Sequence, residues 1–120
     1  MGGICLNPYD KAHELARTLK ASDEYRAFLT AKEAIAADPD AKKMVQDFLR
    51  KKMELEYEAL AGKEDTAKTE ALHKMYELLV MNGKARVFLE AYFRFQRIMA
   101  DISKIIGDSV AEGLDLFAKD

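Results

Sequence analysis

The stretch that decides the fold is FLEAYFRFQRIMADISKII, residues 88–106. Phe88, Phe95 and Ile102 stand seven residues apart, and a second apolar series with the same spacing begins three residues after Phe88. The second series is Ala91, Ile98 and Ile105, and Tyr92, Met99 and Ile106 lie beside it. A seven-residue apolar repeat is typical of helices that pack side by side in bundles and coiled coils. The repeat therefore predicts a long C-terminal helix with a broad apolar stripe.

Leu89 and Phe93 fall outside this stripe and lie four residues apart, so they share another face of the same helix. Because a single small bundle cannot readily bury both faces, we expect the second face to contact another chain. Leu89, Phe93, Tyr92 and Arg97 are the predicted interface residues. On this hypothesis, Phe93→Glu dissociates a dimer without unfolding the protomer, since the unpaired charge is buried only in the assembly.

The rest of the chain divides into further helices at clear start signals. Asn, Ser and Asp side chains can accept hydrogen bonds from the free N–H groups of a first helical turn, and Pro fits the first helical position. The starts are Asn7-Pro8, Ser22 and Asp38-Pro39. A fourth helix follows the charged linker 63–65. We expect the middle and C-terminal helices to provide much of the core.

Glycines mark the predicted helix ends. We expect Gly62 to end the third helix and Asn82-Gly83 to break or bend the chain before the last one. Gly107 is expected to interrupt the last helix, and Gly113 to mark its fraying end. The fold class is all-α: an elongated bundle of about five helices, forming a single domain over residues 1–120, of which 1–6 are expected to be flexible.

Composition excludes several classes of function. The 120 residues carry 19 Lys and Arg against 21 Asp and Glu, a formal net charge of −2, so there is no global basic field for nucleic acid. One cysteine, Cys5, permits neither an internal disulfide nor a multi-cysteine zinc site. The sequence shows neither a signal peptide nor an apolar run long enough to span a bilayer, so we expect a cytoplasmic protein without membrane insertion.

Two Asp/Glu-x-x-His pairs provide the main metal-binding alternative. Asp10 and His13 share one helical face, as do Glu70 and His73, and di-iron bundles use Glu-x-x-His from two helices. One pair begins with Asp, and no inward-facing Glu pair accompanies them on the other helices. We therefore interpret the histidines as surface or half-buried residues and expect no cofactor and no metal site. Cys5, without a positioned histidine, is interpreted as incidental.

An RNA-binding accessory protein is the second alternative. Arg50-Lys51-Lys52 is a basic triplet, and Arg94 and Arg97 are interleaved with aromatic residues. Glu54, Glu56 and Glu58 follow the triplet at once, which is typical of a solvated helical face with ion pairs. We expect no direct nucleic-acid binding. No phosphate loop or nucleophile motif is present, so we predict no catalytic residues and no enzyme activity.

An ordered series of segments resembles the YlbF/YmcA/YheA family of small bacterial helical proteins. The segments are NPYDKAHELA (7–16), SDEY (22–25), AADPDAKKM (36–44), Phe48, FLEA (88–91), FQRIMADI (95–102) and KIIG (104–107). The resemblance runs from about Asn7 to about Val110. It implies an all-helical bundle that self-associates, as a homodimer or higher oligomer, and a regulatory role rather than catalysis.

The resemblance also implies partners. Members similar to YlbF and YmcA act with family paralogues and the membrane-bound endoribonuclease Y in mRNA maturation and turnover, and so influence competence, sporulation and biofilm formation. Those relatives are associated with iron–sulfur clusters, and YlbF-like chains can carry a cysteine-rich tail. This chain ends at Asp120 without such a tail, and Cys5 alone cannot hold a cluster, so we expect none. In this respect the chain is closer to the YheA-like branch.

Overall fold

In the computed structural model, which describes residues 7–116, the chain folds into five helices and the described residues form no strand. The helices are α1 Pro8–Lys20, α2 Asp23–Ala36, α3 Pro39–Leu60, α4 Thr66–Leu79 and α5 Gly83–Leu114. The predicted all-α architecture is confirmed. The predicted flexibility of residues 1–6 lies outside the described residues. Within 7–116, none of the helices is long and apolar enough to cross a membrane.

Each helix begins at a side-chain oxygen that accepts a hydrogen bond from its first turn. The amide of Tyr9 donates to Oδ1 of Asn7 at 2.8 Å, and the amide of Ala85 donates to Oδ1 of Asn82 at 3.0 Å. The other caps are Ser22, Asp38 and Asp65. These groups satisfy backbone donors that have no partner within the helix. The helix starts predicted at 7–8, 22 and 38–39 are thereby confirmed.

Two of the predicted glycine signals, Gly62 and Gly107, behave differently. Gly62 has φ +83°, a left-handed conformation that disfavours a side chain, and the amide of Lys63 donates back to the carbonyl of Glu58 at 2.8 Å. It ends α3 as predicted. The predicted interruption at Gly107 is wrong, because α5 continues through it to Leu114. A glycine in a helix interior costs only about 0.5–1 kcal/mol, which is too little to end a helix of 32 residues.

Aromatic side chains join α2 to the first half of α5. The ring of Phe28 lies 5.7 Å from Phe88, 5.8 Å from Tyr92 and 6.0 Å from Phe95, measured between centroids. Tyr25, one turn before Phe28, lies 5.2 Å from Phe95. The two helices are therefore antiparallel, and α2 begins beside the middle of α5. This places α2 on the predicted apolar stripe.

The core lies where α2, α3, α4 and α5 meet. Its fully buried members contact one another across all four helices, and α3 and α5 contribute most of them, as predicted. The cluster consists of Ile35, Ala41, Val45, Phe48, Leu79, Ala85 and Leu89. Helices α3 and α4 form a hairpin on one side, with the rings of Phe48 and Tyr76 5.6 Å apart. Helix α1 contacts α2.

Candidate interaction surfaces

The structure corrects the prediction that Leu89 contacts another chain. Leu89 is 1% exposed and belongs to the core cluster, together with Val45 and Phe48 of α3. The inner part of α5 is contacted from two sides, by α2 on the stripe and by α3 on the face that carries Leu89. The premise that one protomer cannot bury both faces is therefore wrong at this position.

Phe93 and Tyr92 are half-buried in the protomer. Phe93 packs against the core cluster, and Nζ of Lys52 lies 5.5 Å from the centroid of its ring, a cation–π geometry. Tyr92 lies 5.9 Å from Phe88 and 5.5 Å from Phe93, again between ring centroids. Both side chains keep some surface for a partner. Their role in an interface stays a prediction.

Arg97 is the most exposed of the four predicted interface residues. Its side chain points into solvent, with Nε 3.9 Å from Oδ1 of Asp101. Its assignment to an interface also stays a prediction.

The C-terminal half of α5, residues 99–114, carries an apolar face that is mostly exposed in the described part of the chain, although Ile102 is half-buried; we call this half the arm. Ile105 is 68% exposed and Ile106 is 57% exposed. We call Met99, Ile102, Ile105, Ile106 and Val110 the arm face. The arm face continues the stripe of Phe88 and Phe95 beyond the start of α2. The sequence pattern located this face correctly but did not show which part of it the protomer covers.

A second exposed apolar surface lies on α3 and was missed from the sequence. Met53, Tyr57 and Leu60 occupy consecutive turns on the side of α3 opposite Phe48; we call them the α3 stripe. Tyr57 is 77% exposed and Leu60 is 88% exposed. The sequence signal for this stripe is its spacing of four and three residues. It was obscured because α3 also carries less regularly spaced apolar residues that face the core. Large exposed apolar patches are common at interaction sites, so the α3 stripe is a candidate for one.

The structure does not bring the two candidate metal-binding pairs together. Asp10 and His13 are exposed on α1, while Glu70 and His73 are exposed on α4. Across residues 7–116, no three His, Cys, Asp or Glu side chains are grouped so that they can hold one ion. A single protomer therefore does not assemble the four-ligand alternative. Cys5 lies outside the described residues.

The basic triplet of α3 is largely paired with acids. Nη2 of Arg50 donates to Asp47 at 2.8 Å, and Nζ of Lys52 donates to Glu56 at 2.9 Å. Lys51 lines a groove between α3 and α4, so the three cations do not form one patch. Exposed ion pairs at these spacings contribute little to stability and are typical of solvated helices. This arrangement does not favour the RNA-binding alternative.

The fold defines the class of the protein: an all-helical bundle with exposed apolar helix faces. The family described as "Control of competence regulator ComK, YlbF/YmcA" matches residues 9–111. The chain belongs to this YlbF/YmcA family, a family of regulatory proteins, and the predicted resemblance is confirmed.

Curated relatives support the same assignment over nearly full length. A UPF0342 protein of Desulfitobacterium hafniense is 40% identical over 113 residues, covering 93% of this chain and 91% of that relative. A UPF0342 protein of Symbiobacterium thermophilum is 43% identical over 103 residues, covering 85% and 92%. A UPF0342 protein of Caldicellulosiruptor bescii is 42% identical over 105 residues, covering 87% and 88%. The chain is therefore similar to bacterial proteins of about its own length.

Proposed function

We propose that this chain is a non-enzymatic cytoplasmic adaptor that associates with itself and with protein partners through apolar helix faces. By its family, the proposed process is mRNA maturation and turnover by endoribonuclease Y, and through it competence, sporulation and biofilm formation. The proposed partners are a second copy, family paralogues and endoribonuclease Y. The observation that carries the proposal is the α3 stripe.

The α3 stripe has the properties of a docking surface for a helix. Met53, Tyr57 and Leu60 follow one another at a spacing of four and three residues. Side chains at this spacing form one ridge, which can pack into a groove on a partner helix. Their side chains are directed away from the core, so the protomer gains little stability from them. Tyr is enriched at the energetic centres of interfaces, since a rigid ring buries a large area at a low entropy cost. Tyr57, in the middle of the stripe, is the proposed anchor.

The test is direct binding to purified endoribonuclease Y from the same organism, prepared without its membrane anchor. We expect wild-type protein to bind at micromolar concentration or below, and Tyr57→Glu to bind at least tenfold more weakly, because a charge is then buried in an apolar contact. Tyr9→Glu is the matched control, since Tyr9 and Tyr57 are both 77% exposed. We expect this control to bind like wild type.

The possible results separate the two parts of the proposal. If wild-type protein does not bind endoribonuclease Y even at 100-fold above 1 μM, the proposed partnership is wrong. If wild type and Tyr57→Glu bind equally, the partnership stands and the α3 stripe is not its surface. Circular dichroism of both variants confirms that the helices are intact.

A further inference from the structure

A groove lies between α2 and α3, with a volume of about 240 Å³. The rings of Phe28 and Phe88, whose centroids are 5.7 Å apart, line it from α2 and α5. Ile35 and Val45, which are buried members of the core cluster, also line it. The groove therefore gives a partner access to apolar surface at the edge of the core.

The groove and the α3 stripe share one face of α3. Lys42, Gln46 and Leu49 line the groove from α3, and Met53 follows Leu49 by four residues. Residues at alternating spacings of three and four lie on the same face of a helix, so the α3 stripe continues the side of α3 that lines the groove. From Lys42 to Leu60 this face is about 27 Å long, at 1.5 Å per residue. We call the groove and the α3 stripe together the docking track.

The groove end of the docking track is positively charged. Of the described residues that line the groove, only Lys32 and Lys42 are charged, and both are exposed. The α2 positions three and four residues from Lys32 hold only apolar side chains. Asp38 lies four residues before Lys42, but its Oδ1 accepts a hydrogen bond from the amide of Ala41 at 3.2 Å. Within residues 7–116, no acidic oxygen lies within 4.0 Å of the ammonium group of either lysine.

The charges beside the α3 stripe are balanced instead. Nζ of Lys52 lies 2.9 Å from Oε1 of Glu56, and Nη2 of Arg50 lies 2.8 Å from Oδ1 of Asp47. A partner that covers the docking track therefore meets paired charges along the stripe and, at the groove, two cations that the described chain leaves unpaired. Because the potentials of two interacting surfaces are complementary, the partner needs acidic side chains at the groove end.

We propose that the docking track binds one amphipathic helix of a partner protein, whose acidic residues at one end lie beside Lys32 and Lys42. The apolar side chains of that helix pack on the α3 stripe and in the groove, and about five helical turns cover the length of the track. Docking excludes water at the groove, which strengthens the attraction between the carboxylates and the two cations. The inference deepens the proposed function, because it rests on the α3 stripe as a docking surface and names the chemistry of its partner.

Two synthetic peptides of opposite charge test the docking track. Both have about 20 residues and carry leucines at alternating spacings of three and four, which gives each helix one apolar ridge. One peptide has two glutamates at one end, and the other has two lysines at the same positions. We expect the full wild-type chain to bind the glutamate peptide at least tenfold more tightly at low salt, and this preference to shrink as salt screens the charges. Equal binding of the two peptides overturns the proposal.

Charge reversal in the groove shows where the acidic end lies. We expect the double variant Lys32→Glu, Lys42→Glu to prefer the lysine peptide. Lys43→Glu with Lys84→Glu is the matched control, because these lysines are also exposed but do not line the groove. Each Lys→Glu change lowers the charge by two, so both double variants have a formal net charge of −6 instead of −2. We expect the control to keep the preference for the glutamate peptide, and an unchanged preference in the groove variant overturns the proposal.

Tyr57→Glu tests whether the groove and the α3 stripe act as one surface. We expect this variant to bind both peptides at least tenfold more weakly than wild type, because both peptides use the stripe. Unchanged peptide binding by Tyr57→Glu overturns the docking track. So does a groove variant that loses self-association in sedimentation but keeps the wild-type peptide preference, since a second copy then occupies the groove. Binding of endoribonuclease Y is decided by its own assay, so its failure is distinguishable from a failure of the track.

Discussion

The inner half of α5, residues 83–98, and the arm, residues 99–114, carry one continuous apolar stripe, but they differ in what covers it. In the inner half, α2 packs on the stripe and α3 on the neighbouring face, so Leu89 and Ala85 are fully buried. In the arm, Ile105 and Ile106 remain mostly exposed. A periodic sequence pattern therefore locates an apolar helix face, but what packs against that face depends on where the other helices lie.

The largest expected difference between the two halves is in protomer stability. Leu89→Ala removes a fully buried side chain and leaves a cavity between α3 and α5, so we expect the free energy of unfolding to fall by about 2–5 kcal/mol. Ile105→Ala is the matched change in the arm. At dilutions that keep the chain monomeric, it is expected to alter stability by less than about 0.5 kcal/mol.

Urea titration followed by circular dichroism measures both values. If the two variants lose similar stability at high dilution, the arm is packed within the protomer, and the distinction between the two halves is wrong. A larger slope with denaturant for one variant indicates instead that its denatured or native state changed in compactness.

Much of this architecture could be predicted from the sequence, because local chemistry decides helix ends. Asn7, Ser22 and Asp38 cap their helices by contacts with the next two or three residues, and the left-handed Gly62 ends α3. These signals need no knowledge of the tertiary structure. The interruption predicted at Gly107 was wrong because the cost of one glycine in a helix is small, and the apolar heptad series continues up to it.

The interface residues were harder to predict for a physical reason. The prediction that Leu89 faces another chain assumed that α5 has one contact face within the protomer. Instead, α5 lies between α2 and α3 and is contacted on both sides. That arrangement depends on contacts between distant parts of the chain. The α3 stripe was missed because the apolar residues of α3 lie on two faces that their irregular spacing does not separate. Only the fold separates its buried face from its exposed one.

Phe93→Glu, within the inner half of α5, is expected to have an intermediate effect. Phe93 packs on the core, and its ring is covered by Lys52 at 5.5 Å, so we expect the variant to lose about 1–3 kcal/mol of protomer stability. This replaces the sequence-based expectation of dissociation without unfolding. Phe93→Leu, which stays apolar, is expected to lose less than about 1.5 kcal/mol.

Thermal unfolding of these two variants at several protein concentrations separates stability from association. A lower midpoint for Phe93→Glu at every concentration supports the packing role. If the unfolding midpoint of Phe93→Glu equals that of wild type at low protein concentration and is lower only at high protein concentration, Phe93 acts mainly in the interface. The original prediction is then restored.

The smallest expected effect is in the arm itself, at Gly107. A Cβ placed on Gly107 meets nothing within 4 Å, so Gly107→Ala is expected to stabilise the helix by about 0.5–1 kcal/mol. Because most apolar side chains of the arm are exposed in the described part of the protomer, its helix depends on local propensity more than the inner half does. Hydrogen exchange is therefore expected to slow at arm amides and stay unchanged around Leu89. Gly62→Ala is the control, because Gly62 has φ +83° and a side chain there is expected to destabilise the protein. Equal slowing of exchange in both halves of α5 by Gly107→Ala contradicts the independence of the arm.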